Sequence, residues 1–133
     1  MLDDAPIYAS VPARDIDRAK RWYQEKLGFT PEVDMGPNGA VYKGGRGTRF
    51  VLYETLYAGT GKHTIAGWTV SDLDAAVAEL RGRGVVFEEY DGTNGPKTEG
   101  GVARDDGGAA AWFKDSEDNI LNLNELPPGM SLD

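Results

Sequence analysis

The feature that most narrows what this chain can fold into is a repeat. Ile7 to Val11 alternate as a half-buried strand does, with Ile7, Ala9 and Val11 on one face and Tyr8 and Ser10 on the other. Asp15 then stands at a helix N-cap position. Ile16, Ala19, Tyr23 and Leu27 recur at helical spacing, and Gly28 falls where a left-handed residue ends a helix. The same syntax returns further along. Ile65 to Val70 alternate, Asp72 can cap, Leu73, Ala76, Val77 and Leu80 form one stripe, and Gly84 closes it. Asp72 lies 57 residues after Asp15, nearly half of a 133-residue chain, and DIDRA aligns with DLDAA. This spacing predicts an internal duplication.

After each helix the sequence reads as short strands broken by Gly-rich turns. These are GAVYKGG and TRFVLYE in the first half, and VVFEEY, AAAWF and NILNLNE in the second. The expectation is an α+β chain, residues 1–133 forming one domain, built of βαβββ modules at about 5–58 and about 62–126. Asp91 to Gly108 is the longest irregular stretch, either a flap over an interior or a solvated loop. PPGMSLD reads as a loose tail.

Composition removes several functions. Acidic residues outnumber basic ones 22 to 14, for a net charge of −8, and the basic residues form no stripe, which argues against nucleic acid. An anionic ligand would need a local basic pocket on so acidic a chain. There is no cysteine, hence no disulfide, thiol nucleophile or zinc–thiolate site. The N-terminal residues lack the pattern of a secretory signal, and no apolar run reaches the ~20 residues that span a bilayer, so a cytoplasmic protein without membrane attachment is expected. No GxSxG, P-loop or Rossmann glycine fingerprint is present, and GGRG at Gly44 to Gly47 reads as a hairpin turn.

Two halves opened by YASVPARDIDRAKRWYQEKLGF and IAGWTVSDLDAAVAELRGRGV, and closed by AWFKDSEDNILNLNE, resemble the vicinal oxygen chelate superfamily, which includes glyoxalase I, extradiol dioxygenases and bleomycin-resistance proteins. Ser116 stands where the closing motif usually has Pro. The resemblance runs from Ile7 to Leu126. It implies paired modules forming a curved mixed sheet, helices on the convex face and a ligand cavity on the concave face. Helix-facing positions would be Ile7, Ala9, Val11, Ala66, Trp68, Val70, Leu121 and Leu123, and the cavity side would carry Tyr8, Ser10, His63, Ile65, Gly67, Thr69, Asn122 and Asn124.

Metal-dependent relatives hold a divalent ion with His, Gln or Glu from the inner face. Carried over by position, those ligands fall at Tyr8, Ile65 and Asn122: a phenol that would have to give up its proton, a hydrocarbon and a neutral amide. The expectation is therefore no metal and no cofactor. A displaced set of His63 with Glu54 or Glu125 is the alternative, although one histidine supplies few strong donors.

The sequence offers aromatics instead. Trp68, Tyr23 and Phe113 fit the helix-packing face. Tyr8, Tyr42, Tyr53 and Trp112 are candidates to line a cavity, together with Ser10, His63, Asn122 and Asn124, and Tyr57 is a further possibility. By resemblance to the bleomycin-resistance proteins, the leading expectation is a homodimeric binding protein that sequesters a small aromatic or drug-like molecule without metal. The rivals are a metal-dependent enzyme, a metal-free isomerase or cyclase using Tyr8 and a carboxylate, and a stress or regulatory module with a vestigial cavity. No catalytic residue can be named.

Overall fold

The computed structural model describes residues 1–132; Asp133, the last residue of the expected tail, lies outside the described residues. The first half runs β1 (Tyr8–Ala13), α1 (Ile16–Leu27), β2 (Val33–Asp34), β3 (Gly39–Lys43) and β4 (Arg49–Glu54). The second runs β5 (Thr64–Thr69), α2 (Leu73–Gly82), β6 (Ala103–Asp105), β7 (Gly108–Lys114) and β8 (Ile120–Glu125). Each half is a βαβββ module with its own four-stranded mixed sheet, in the orders β1-β4-β3-β2 and β5-β8-β7-β6. The opening strand of each module lies parallel to its closing strand, and the other pairs are antiparallel. The expected duplication is therefore one of topology as well as sequence.

The helices start and stop where their end residues dictate. The Asp15 carboxylate accepts the Arg18 N–H at 3.0 Å, and Asp72 accepts the Ala75 N–H at 3.0 Å, each satisfying a donor that the helix leaves unpaired. Gly28, at φ 79°, ends α1 in the left-handed conformation that costs glycine least, and its N–H bonds the Gln24 carbonyl at 3.1 Å.

The helix-facing sides of both sheets join in one core. Val11, Ala13, Tyr23, Leu52, Leu73, Ala111, Phe113 and Leu121 are buried in it, with Trp68 packed against them. Rings cross between the modules: Trp22 stacks on Phe113 at 6.2 Å and Phe29 on Trp68 at 5.7 Å. The opposite face of each sheet is left open.

A polar network fastens the modules at the β7–β8 turn. Asp115 Oδ1 accepts the N–H groups of Glu117 and Asn119, and Asp115 Oδ2 accepts the Tyr23 hydroxyl and the Asn119 amide. Asn119 also donates to the Pro12 carbonyl and accepts the Gly59 N–H. Glu117 accepts from Arg18 and from the Arg14 and Asp15 N–H groups. A turn in the second module thus satisfies backbone and side-chain donors of the first.

Three expectations need correction, and two short strands, β2 and β6, were not expected. Ile7 lies before β1 and is 91% exposed rather than helix-facing. VVFEEY alternates correctly, with Val85 and Phe87 buried, but forms no strand; only Phe87 bridges to β7, opposite Phe113. The free edge of β7 is divided, its far end being taken by β6 through Ala103–Ala110 pairing. Val33–Asp34, a two-residue strand, carries no readable period. Finally, a bulge between Thr64 and Ala66 puts Thr64 on the open face beside Ile120 and turns Ile65 against the core, whereas unbroken alternation places Ile65 on the cavity side. Among the described residues, no helix is long and apolar enough to cross a membrane.

Candidate functional site

The open face of the second sheet is organised in rows by its strand register. Gly67, Asn122 and Trp112 form one row, with Thr69, Asn124 and Ala110 beside it on one side and Thr64, Ile120 and Lys114 on the other. The rows hold each other in place. Trp112 Nε1 donates to the Thr64 hydroxyl at 3.0 Å, and the Thr69 hydroxyl donates to Asn124 Oδ1 at 3.0 Å. Asn122 lies across Gly67 so closely that a Cβ there would stand 1.8 Å from Asn122 Oδ1. Glycine at this position is what lets the amide lie along the sheet.

Above Trp112 a pocket of about 320 Å³ opens, lined by Lys62, His63, Thr64, Trp112, Ile120 and the segment Tyr90 to Pro96. Its outer wall is the first part of the segment expected to be irregular. That wall is fastened at its base: Tyr90 N–H donates to the Thr98 hydroxyl at 2.8 Å and Thr98 N–H to the Tyr90 carbonyl at 2.9 Å. Tyr90 stands edge-on to Trp112, ring centroids 5.7 Å apart. Burial, with the nearby Glu88 charge, pushes the Tyr90 phenol above its ordinary pKa, so it is a neutral donor here. The His63 imidazole is seated over Gly61, whose Cβ would stand 2.5 Å from His63 Cε1.

The remaining candidates divide. Tyr8, Ser10 and Tyr53 share the open face of the first sheet, where Tyr8 pairs with Arg49, Ser10 with Val51 and Pro12 with Tyr53. They lie on a different sheet from Trp112, Asn122 and Asn124. Tyr42 belongs to neither face. It is fully buried in the core, stacked on Phe50 at 4.9 Å and edge-on to Tyr23 at 6.1 Å, because β3 turns its even positions toward α1. Burial, then the Asp34 charge, pushes its phenol up to about 12. Tyr57 is 80% exposed in the connection between modules. Sequence reasoning missed Lys62 and Tyr90; the one available signal was their position flanking His63 and the long loop.

A second, wider groove of about 770 Å³ runs between Gly44–Arg49 of the first module and β5, with Leu126 and Met130 to Leu132 along it. The expected loose tail contributes a wall there.

Two tandem βαβββ modules sharing one core, each with an open sheet face, define the class of fold. Comparison with known proteins gives the family: the model of the Glyoxalase/Bleomycin resistance protein/Dioxygenase superfamily matches residues 6–113, and the chain belongs to that superfamily. A search of curated proteins finds no match. Among solved structures, the antibiotic binding protein TnmS3 from Streptomyces sp. CB03234 is 28% identical, with 94% of this chain and 98% of that one covered at a TM-score of 0.63. UcmS2 is 23% identical over 90% of this chain and 96% of that one, at a TM-score of 0.70. A glyoxalase/bleomycin resistance protein from Catenulispora Acidiphila DSM 44928 is 24% identical over 92% and 98%, at 0.64. The last two likenesses are likenesses of fold.

Some members of this superfamily work through a divalent ion. Of the positions where such ligands would fall, Ile65 is packed against the core, and Tyr8 and Asn122 lie on different sheets. In the displaced set, Glu125 Oε1 accepts the Leu73 N–H at 2.9 Å and so serves the start of α2. Among the described residues no group of three or more His, Cys, Asp or Glu stands where it could hold a metal ion. Within one chain the described donors do not fit such an ion.

Proposed function

We propose that this protein is a metal-independent binding protein that sequesters a flat aromatic or drug-like molecule in the cytoplasm. The observation that carries the reading is the chemistry of the second sheet's open face. Trp112 is held by Thr64, Tyr90 stands against its ring, and neutral amides are offered by Asn122 in the same row and Asn124 in the next. Ring surfaces and uncharged hydrogen-bonding groups suit a planar ligand. The likeness to an antibiotic binding protein supports the same reading.

The active form is a homodimer. Tyr8, Tyr53 and Val33 on the first sheet are 60%, 41% and 50% exposed, an apolar face that a second copy would cover while placing Tyr8, Ser10 and Tyr53 opposite a partner's Trp112 face.

Calorimetric titration with naphthalene-2-carboxamide, a neutral planar probe, tests the binding reading. Saturable binding weakened about tenfold or more by Trp112→Ala is expected, given what one stacked aromatic contributes. Binding indifferent to Trp112 would overturn it.

A further inference from the structure

Most cations of this chain are already engaged. Arg18 pairs with Glu117, Lys20 with Asp34, Arg49 with Glu32, Arg83 with Glu79 and Arg104 with Asp74. Arg14, Lys26 and Arg81 donate to the Leu56, Arg83 and Gly100 carbonyls. At the pocket above Trp112 the pattern changes. Lys62 and His63 line it side by side, and neither side chain makes a hydrogen bond or ion pair with another described residue. The next row of the open face ends in Lys114, opposite Ile120 and Thr64.

Among the described residues, the one carboxylate lining the pocket is turned to its own loop, Asp91 Oδ1 accepting the Thr93 N–H at 2.9 Å. The Trp112 N–H is likewise committed to Thr64. What the pocket presents to a ligand is therefore an aromatic floor and, at one end, two neighbouring basic side chains without an internal partner. On a chain of net charge −8, such a local excess of donors selects for negative charge that the rest of the surface repels.

Building on the proposed binding function, we infer that the ligand is a planar aromatic molecule carrying an acidic group, its rings on Trp112 and Tyr90 and its anion at Lys62 and His63. A carboxylate, sulfonate or acidic phenol provides the same chemistry. The pair gives the site a charge selectivity that rings and amides alone would lack.

The test compares two probes of one shape, naphthalene-2-carboxylate and naphthalene-2-carboxamide, by calorimetry on the intact protein at low and high salt. The carboxylate is expected to bind about tenfold more tightly at low salt, the size of one partly exposed charge-assisted contact, and the advantage shrinks as salt rises. In the double variant Lys62→Gln/His63→Gln the ratio of the two affinities is expected to fall to about one. Equal affinities in the wild type, or a preference that survives the double substitution, would overturn the charge selectivity while leaving the aromatic site standing. Binding of neither probe would overturn both. Both side chains are exposed, so thermal unfolding of the variant matching the wild type confirms an intact fold.

Discussion

The Tyr23 hydroxyl, on α1 of the first module, donates a 2.6 Å hydrogen bond to Asp115 Oδ2 in the closing turn of the second. Burial raises the Asp115 carboxyl above its ordinary range, and the Tyr23 and Asn119 donors act against that rise. The contact is therefore one of the groups that let a buried acid be tolerated between the modules. Tyr42, 6.1 Å away in the same core, has a buried hydroxyl with no partner among the described residues.

That contrast gives a paired prediction. Tyr23→Phe strips a donor from a buried acid and should cost about 1.5–3 kcal/mol. Tyr42→Phe removes a hydroxyl that bonds no described residue and should cost less than about 0.5 kcal/mol, or stabilise. Urea unfolding of the two variants, side by side, checks both. Equal losses would contradict the assignment of the inter-module contact.

Glu117 predicts the acid limb of stability. Burial works to raise its pKa, but Arg18, the Asp15 N–H and the Ser116 hydroxyl outweigh it and hold the carboxyl at about 2 against an ordinary 4.5. A carboxylate depressed in the folded state stabilises above its unfolded pKa and loses that stability as pH falls, here from about 4.5 to about 2. The contribution is at most about 3 kcal/mol, and less in practice because Arg18 is half exposed. Asp115 has the opposite sign: its raised pKa favours the protonated form, so its effect is lost as pH rises through that raised value. Glu117→Gln should lower stability at pH 7 and flatten the decline between pH 4.5 and 2. Chemical denaturation across that window measures it, and an unchanged slope would refute the role of Glu117.

Gly67→Ala should separate binding from stability. The added Cβ meets the end of the Asn122 side chain, which can swing aside, and lies 3.1 Å from the Asn122 backbone oxygen, which must give slightly, so the loss of stability should be about 1 kcal/mol. The displaced amide no longer lies along the face beside Trp112, and affinity for naphthalene-2-carboxamide should fall severalfold. Unfolding and titration of the same preparation read both quantities. Full affinity would show that Asn122 does not meet the ligand.

Sedimentation equilibrium at micromolar concentration should give twice the 14.4 kDa chain mass. Tyr8→Glu or Tyr53→Glu, each placing a charge on the open face of the first sheet, should shift the protein toward monomer. A wild-type monomer at these concentrations would contradict the dimer.

The repeat at Asp15 and Asp72 made the modules legible because caps and helical spacing are local signals that survive in the folded chain. Parity along the strands carried Val11, Trp68, Phe113, Leu121 and Leu123 to their core positions for the same reason. It failed where register depends on long-range pairing. The bulge at Ile65 follows from pairing with the distant β8 and the bridge at Phe87 from the distant Phe113, while Tyr42 turns inward onto the rings of Phe50 and Tyr23, which strand parity alone does not specify. The grouping of Lys62, His63 and Tyr90 around Trp112 was hidden likewise, since a loop closed at Thr98 brings them together.

The central claim, that recognition here needs no bound metal ion, is tested most directly by measuring the affinity for naphthalene-2-carboxamide before and after exhaustive chelation. The account predicts the same affinity in both preparations. Binding abolished by chelation and restored by a stoichiometric divalent ion would contradict it.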